Sequence, residues 1–316
     1  MIPKFIMMCG LVASGKSTKA QKLSETHDAV IFSSDALREE LFGDINHQDN
    51  NQELFIELHR RIKDCLRSGK SAIYDATNIA YKRRMAFLDE LKNIPCEKIC
   101  ILMATPYEEC LKRNKERERK VPEDVIKRMY MNFNIPFFYE GWDRITTCHG
   151  DPAYVGYYGS PMDFVQTVMD FNQDNHHHSL SLGEHLTNTV CNLVCHNYDT
   201  LLVRDEALTI AALLHDNGKC QTKDFHNGKG EPTTEAHYFN HNNVGAYNSL
   251  FYTDSFIYDD IWYLWLYISV LIMWHMQPYF WEKNNNEKLH NKYRKLWGEP
   301  LYEDIMKLHE ADKVSH

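Results

Sequence analysis

Two groups of residues in this chain have the types and spacing to do chemistry. The first is Gly10-Leu-Val-Ala-Ser14-Gly15-Lys16-Ser17-Thr18, which fits GxxxxGK[ST] between an apolar run, Lys4–Cys9, and a helical pattern. The two glycines let the backbone curl so that its N–H groups point at a β-phosphate. Lys16 adds a full charge, Ser17 can reach Mg2+, and the following helix contributes its dipole. The motif predicts binding of ATP, or another nucleoside triphosphate, with Mg2+ through Gly10, Ser14, Gly15, Lys16, Ser17 and Thr18. Asp35, in Ser33-Ser34-Asp35-Ala-Leu-Arg38, follows a second apolar run, Ala29–Phe32. At the carboxyl end of a parallel strand it faces the same edge as the phosphate loop. There it could take the proton of an attacking hydroxyl, or it could cap the next helix; both roles stay open. Arg38, one turn on, could hold an acceptor phosphate with its planar fork. Asp75 ends a third run and suits either a place beside Mg2+ or an acid that orients the acceptor. Six cations between Lys112 and Lys120 predict a lid that carries an arginine, Arg117 or Arg119, onto the transferring phosphoryl group. A plain helix with i,i+4 pairs to Glu116 and Glu118 is the competing reading.

The second group is histidine and aspartate. His215-Asp216 ends an apolar helical pattern and precedes Asn217-Gly218-Lys219. Neighbouring side chains on a helix diverge by about 100°, so a doublet that binds one metal suits a helix end opening onto a cavity. His185 opens an earlier helical pattern, His241 follows His237 at i+4, His275 ends an aromatic-rich one, and Asp312 lies in the last. His275 could equally cap its helix, and His237 could be a ligand, an acid or neither. His176–His178 could touch an acceptor phosphate. His196, His226 and His290 read as surface residues.

These groups need elements to place them. The chain has 316 residues, 43% apolar and 25% charged, which suits two domains with cores of their own. The longest apolar run, Ile261–Trp274, is 14 residues, short of a membrane span. The first ten residues lack the pattern of a signal peptide, and nine cysteines without CxxC suit reduced thiols in the cytoplasm. Residues 1–150 carry 24 Lys and Arg against 22 Asp and Glu; residues 151–316 carry 11 against 22, with 13 of the 17 histidines. The second half is a poor non-specific nucleic-acid binder but a good source of metal ligands. Short apolar runs alternate with helical patterns up to Trp142, after which the strand signal fades: a parallel sheet, then helices only. The expected division is an α/β domain at 1–150, a Gly/Pro/Tyr-rich linker at 151–175, and an all-α domain at 176–316.

The phosphate loop, SSDALR after strand two, DATN after strand three and the lid KRNKERERKVPEDVIKRM together resemble the kinase module of the polynucleotide kinase family. That resemblance implies that Lys16 and Ser17 hold ATP·Mg2+, Asp35 is general base for a 5′-hydroxyl, Arg38 holds the adjacent phosphate, and Arg117 or Arg119 is the lid arginine. The ordered set His185, His215-Asp216, His241, His275 and Asp312 resembles the HD phosphohydrolase superfamily. It implies one or two divalent transition metals (Mn2+, Ni2+, Fe2+ or similar) activating water toward phosphorus, with Lys219 adding a positive charge. The pair is similar to bacterial HD-domain polynucleotide kinases with the domain order reversed. Its expected function is healing RNA or DNA strand ends, by phosphorylating a 5′-OH and removing a 2′,3′-cyclic or 2′/3′ phosphate, so that a separate ligase could join them. A nucleoside or nucleotide kinase fused to an HD nucleotidohydrolase is the alternative.

Overall fold

A computed structural model describes residues 2–47, 49–176, 179–197, 203–253 and 262–315. They form two compact units: Met1–Met129 with Pro136–Pro152, and Tyr130–Ile135 with Ala153–His316.

The first unit runs β1 (Lys4–Cys9), α1 (Lys16–His27), β2 (Ala29–Ser33), α2 (Ser34–Phe42), α3 (Asn51–Arg67), β3 (Ser71–Asp75), α4 (Tyr81–Glu90), β4 (Glu97–Met103), α5 (Tyr107–Glu116), α6 (Glu123–Met131) and β5 (Arg144–Cys148). The five strands are all parallel, in the order β2-β3-β1-β4-β5. β1 is central and buried from Phe5 to Cys9, which is why it reads as an unbroken apolar run. One face of the sheet packs Ile6, Met8, Ile73, Ile99, Ile101 and Met103 with Ala20 of α1. On the other, Phe5 meets Phe87 of α4 edge-on at 5.4 Å and stacks with Trp142 at 6.4 Å. On α3, Leu54, Leu58, Ile62 and Leu66 are all buried, the face their four-residue spacing predicts. The carboxyl ends of β1, β2 and β3 deliver the phosphate loop, Asp35 and Asp75 to one edge.

Three expectations are corrected. The strand signal does not end at Trp142: β5 pairs with β4 from Ile99↔Arg144 to Met103↔Cys148. As an edge strand it fully buries only Ile145, so little of it is apolar. The second unit is not helices alone. Between its helices lies an antiparallel hairpin, β6 (Lys223–His226) and β7 (Pro232–Tyr238), so His237 is on a strand and its i+4 spacing to His241 is not helical. The stretch read as a linker contains α7 (Pro161–Thr167), which packs Val165, with Val168, against Leu182 and Leu186.

The remaining helices are α8 (Leu182–Asn197), α9 (Val203–Leu214), α10 (Lys219–Thr222), α11 (His241–Asn248), α12 (Trp262–Trp274), α13 (Gln277–Lys283), α14 (Glu287–Trp297) and α15 (Glu299–Lys313). α9, α11 and α15 pack around α12, whose all-round apolarity suits a central helix. Among the described residues no helix is long and apolar enough to cross a membrane.

Candidate active sites

At the end of β1 the chain curls, with Ala13 (φ 62°) and Gly15 (φ 89°) both left-handed. Such turns gather N–H groups on one side. Gly10 is required sterically: a Cβ there would lie 2.8 Å from Ser14 Oγ and 2.9 Å from Met103 Cβ. Lys16 opens α1, buried, and donates to the Leu11 carbonyl. Burial lowers the pKa of its ammonium against the pull of Asp75. Asp75 bonds the Ser17 hydroxyl, the pair that would hold Mg2+; burial raises its carboxyl pKa although Ser17 and Lys16 oppose it. Thr18 follows on the first turn of α1.

On the acceptor side, the Ser33 hydroxyl caps α2 by accepting from Ala36 N, so Asp35 is not the cap and lies in the first turn. Asp35 Oδ1 accepts from Arg38 Nη1 at 3.0 Å and Oδ2 from Arg119 Nη1 at 2.8 Å. Arg38 also donates to Asn51 Oδ1 at 2.9 Å, while its buried Nε has no hydrogen-bond partner. Arg119, between α5 and α6, reaches Asn46 Oδ1 and the Ile45 carbonyl. The lid arginines thus divide. Arg119 meets Asp35, whereas Arg117 acts as a like charge on Lys16. Arg113 of α5, which the sequence reading gave no role of its own, comes 3.9 Å from the position of a Gly15 Cβ.

In the second unit the six predicted ligands converge. His185 is on α8, His215 and Asp216 follow α9, His241 opens α11, His275 follows α12 and Asp312 is on α15. All six are buried. Each imidazole donates its Nδ1–H to a carbonyl: His185 to Ser315, His215 to Ala212, His241 to Tyr238 and His275 to Ile272, at 2.7–3.2 Å. A carbonyl only accepts, so in the neutral ring Nε2 is a lone pair. His215 and His275 fold back three residues onto orphan carbonyls at a helix end, so in His275 the capping bond through Nδ1 leaves Nε2 free to ligate.

The four Nε2 atoms face one another in two groups. His185 and His215 stand 3.2 Å apart, with Asp312 Oδ1 at 3.1 and 3.4 Å and Asp216 Oδ2 at 3.5 Å from each. His241 and His275 stand 3.3 Å apart, with Asp216 Oδ1 at 3.1 and 3.6 Å. Asp216 is shared. Donors about 2.1 Å from one cation stand roughly 3.0–3.4 Å apart at octahedral or tetrahedral angles, so both groups fit a divalent cation. Facing lone pairs at these distances repel unless a cation or proton lies between them. Burial works against a charged His185, but Asp216 and Asp312 outweigh it and push its pKa up to about 9. For His275 burial prevails and the pKa falls. Burial opposes the charge on Asp216 too, yet Lys219 and His215 hold its carboxyl well below the usual range. Lys219 Nζ donates to Asp216 Oδ2 and to Gln173 Oε1, each at 2.7 Å.

His237 stacks on Phe239 at 5.4 Å, and its buried Nε2 has no hydrogen-bond partner; it stands outside both donor groups. His176 pairs with Glu235, while His177 and His178 lie outside the described residues. His226 pairs with Asp224, and His290 stacks on Trp281. Gln173 and Tyr279, which touch Lys219 and Asp312, escaped the sequence reading because neither sits in a recognisable spacing.

Residues 5–136 match a family model described as an AAA domain. The L-seryl-tRNA(Sec) kinase of Methanococcus maripaludis is 31% identical over 149 residues, 44% of this chain and 55% of the relative. The chain thus spans about half the length of the curated relative it matches. Among solved structures, the Pnkp1/Rnl/Hen1 RNA repair complex is 23% identical with a TM-score of 0.36, covering 40% of this chain and 43% of that chain. Chaetomium thermophilum Kti12 in complex with ADP-AlF3 is 18% identical with a TM-score of 0.39, covering 47% and 92%. TM-scores this low make these likenesses only. The first unit is an α/β P-loop fold whose residues 5–136 match the AAA-domain model and which is similar in sequence to a kinase.

Proposed function

We propose that this chain heals nucleic-acid ends, with RNA the favoured substrate: the first unit phosphorylates a 5′-hydroxyl from ATP and the second removes a 2′,3′-cyclic or 2′/3′ phosphate. The observation that carries the reading is the convergence of six buried donors about a shared Asp216 in a chain that also places Asp35 and Arg38 at the phosphate-loop edge. A kinase beside a phosphatase is futile on one atom and useful on the two ends of one break.

In the kinase step Asp35 takes the proton of the acceptor hydroxyl, the oxygen bonds to the γ-phosphorus, and ADP leaves. Each Asp35 oxygen accepts from one arginine and keeps a further lone pair, so the hydroxyl can approach beside an arginine or take the place of one. Arg119 is the partner that can yield, and its freed charge then serves the transferring phosphoryl group. Arg38, with an unused Nε, keeps its place for the phosphate next to the acceptor hydroxyl. Lys16, Ser17 and Asp75 would hold ATP·Mg2+.

In the hydrolase step His185, His215, Asp216 and Asp312 would hold one cation, and Asp216, His241 and His275 a second. Bound there, such cations would supply a water acidic enough to ionise near neutral pH and positive charge for the phosphate oxygens. Lys219, fixed by Gln173, keeps one more positive charge beside Asp216.

A second reading rests on the relative at 31% identity, whose name places its acceptor hydroxyl on a tRNA-borne serine. One experiment separates them. A short RNA with a 5′-OH and a 2′,3′-cyclic phosphate, a seryl-tRNA and a free nucleoside are each given ATP, Mg2+ and Mn2+, and products are weighed for wild type, Asp35→Ala and Asp216→Ala. End healing requires that Asp35→Ala lose only the 5′ reaction and Asp216→Ala only the 3′ one. Phosphate on seryl-tRNA alone would replace the kinase assignment, and untouched ends with a phosphorylated nucleoside would replace both.

A further inference from the structure

Both oxygens of Asp216 face metal donors, but those of Asp312 are divided. Oδ1 faces His185 and His215 at 3.1 and 3.4 Å, while Oδ2 accepts from the Tyr279 hydroxyl at 3.0 Å. The Asp312 side chain is 6% exposed, so water has little access to replace that bond. Tyr279 is itself braced. Its ring meets that of His309 edge-on at 4.4 Å, the buried His309 Nε2 pairs with Glu282 Oε1 at 2.9 Å, and Lys313 holds the other Glu282 oxygen at 3.0 Å. Nothing in either reaction uses this chain of contacts. It runs from exposed charges on α13 and α15 to one oxygen of one ligand, as Gln173 and Lys219 run to Oδ2 of Asp216.

A carboxylate that ligates through one oxygen must be kept from turning to offer the other, and a buried hydroxyl donor on Oδ2 does so. We propose that Tyr279 is a positioning residue of the metal centre: it holds Asp312 to a single ligating oxygen and so sets how tightly the His185–His215–Asp312 group takes its cation. The inference rests on the metal-centre reading above.

The test uses the full chain stripped with chelator and titrated with Mn2+ alone, free ion being counted by electron paramagnetic resonance. Tyr279→Phe removes one oxygen and leaves the ring on His309. Tyr302→Phe, which loses a hydroxyl bonded to His290 instead, is the matched control. Tyr279→Phe is expected to weaken one class of Mn2+ sites by about 10–100-fold, with melting in chelator unchanged and Tyr302→Phe binding as wild type. In an Asp312→Asn background, Tyr279→Phe is expected to add no further loss, since the carboxylate whose orientation it fixes is gone. Wild-type affinity in Tyr279→Phe, or a full additional loss in the Asp312→Asn background, overturns the proposal while leaving the metal centre standing. A wild-type chain that takes up no Mn2+ overturns the metal centre and the proposal together.

Discussion

A single missing atom decides how the phosphate loop closes. Gly10 N donates to the Thr77 carbonyl at 3.1 Å, and there is no space for a Cβ between Ser14 Oγ and Met103. Gly10→Ala must push β4 and the loop apart by several tenths of an ångström. Because misplacement of a binding loop by ~1 Å can cost ~100-fold, the affinity for ATP·Mg2+ is expected to fall by ~10–100-fold, read by calorimetric titration. Hydrolysis at the second site should be unchanged; a wild-type ATP affinity would show the loop to be slacker than these distances imply. The same scale explains the glycine two residues beyond the His215-Asp216 doublet. A Cβ on Gly218 would lie 2.1 Å from the His241 carbonyl oxygen, so only glycine lets α11 bring His241 in. The residue types at both sites were legible in the sequence. Arg119 as the partner of Asp35 was not, because Arg117 and Arg119 are equivalent in a charge pattern and differ only in where the turn after α5 points them.

Elements hold these residues in ways that spacing does not reveal. Arg84 of α4 is fully buried and donates Nε and Nη2 to both oxygens of Glu140, at 2.8 and 2.6 Å, while Nη1 reaches the Asn78 carbonyl at 2.8 Å. Asn78 in turn donates to the Met8 carbonyl, which ties the loop after Asp75 to β1. Breaking such a pair leaves a buried charge alone. Arg84→Met is therefore expected to destabilise the first unit by ~3–5 kcal/mol, and Arg84→Met with Glu140→Leu to recover most of that. Urea unfolding followed by the first unit's fluorescence checks it; equal losses in the single and double variants would mean that packing, not charge, holds α4. Periodicity made the central strands and α3 readable because they are buried in regular patterns. It missed β5 and the β6–β7 hairpin, whose short polar strands bury few residues and are stabilised by partners distant in sequence.

At the scale of the whole chain, charge is uneven: +2 over residues 1–150 and −11 over residues 151–316. On the end-healing proposal, a surface of this kind would grip a strand end only locally. With Arg38 as the one phosphate contact to the acceptor strand, at ~0.7 per contact for a single strand, log affinity for a 5′-OH oligonucleotide should fall with log salt at a slope of about −0.7. Arg38→Ala should flatten that slope, and Arg119→Ala, whose charge serves the transferring group, should leave it unchanged. Binding measured from low to moderate salt checks this, and a slope several times steeper would place many more cations on the substrate than Arg38 alone.

From the residues alone one can read the chemistry on offer: a phosphate loop with its lysine and serine, a carboxylate after each of two strands, and an ordered run of histidines and aspartates. Local rules suffice there, since a Gly-rich turn, an apolar strand and a helix end are each set by neighbours in the chain. Tertiary structure alone decided the rest. It brought His185 and Asp312 to 3.1 Å across more than a hundred residues, turned every Nε2 inward by tying Nδ1 to a carbonyl, shared Asp216 between two donor groups, and put His237 on a strand away from them. The reason is physical. Which ring nitrogen is free and which carboxylate oxygen faces a metal depend on hydrogen bonds to distant backbone, and no spacing along the chain encodes those.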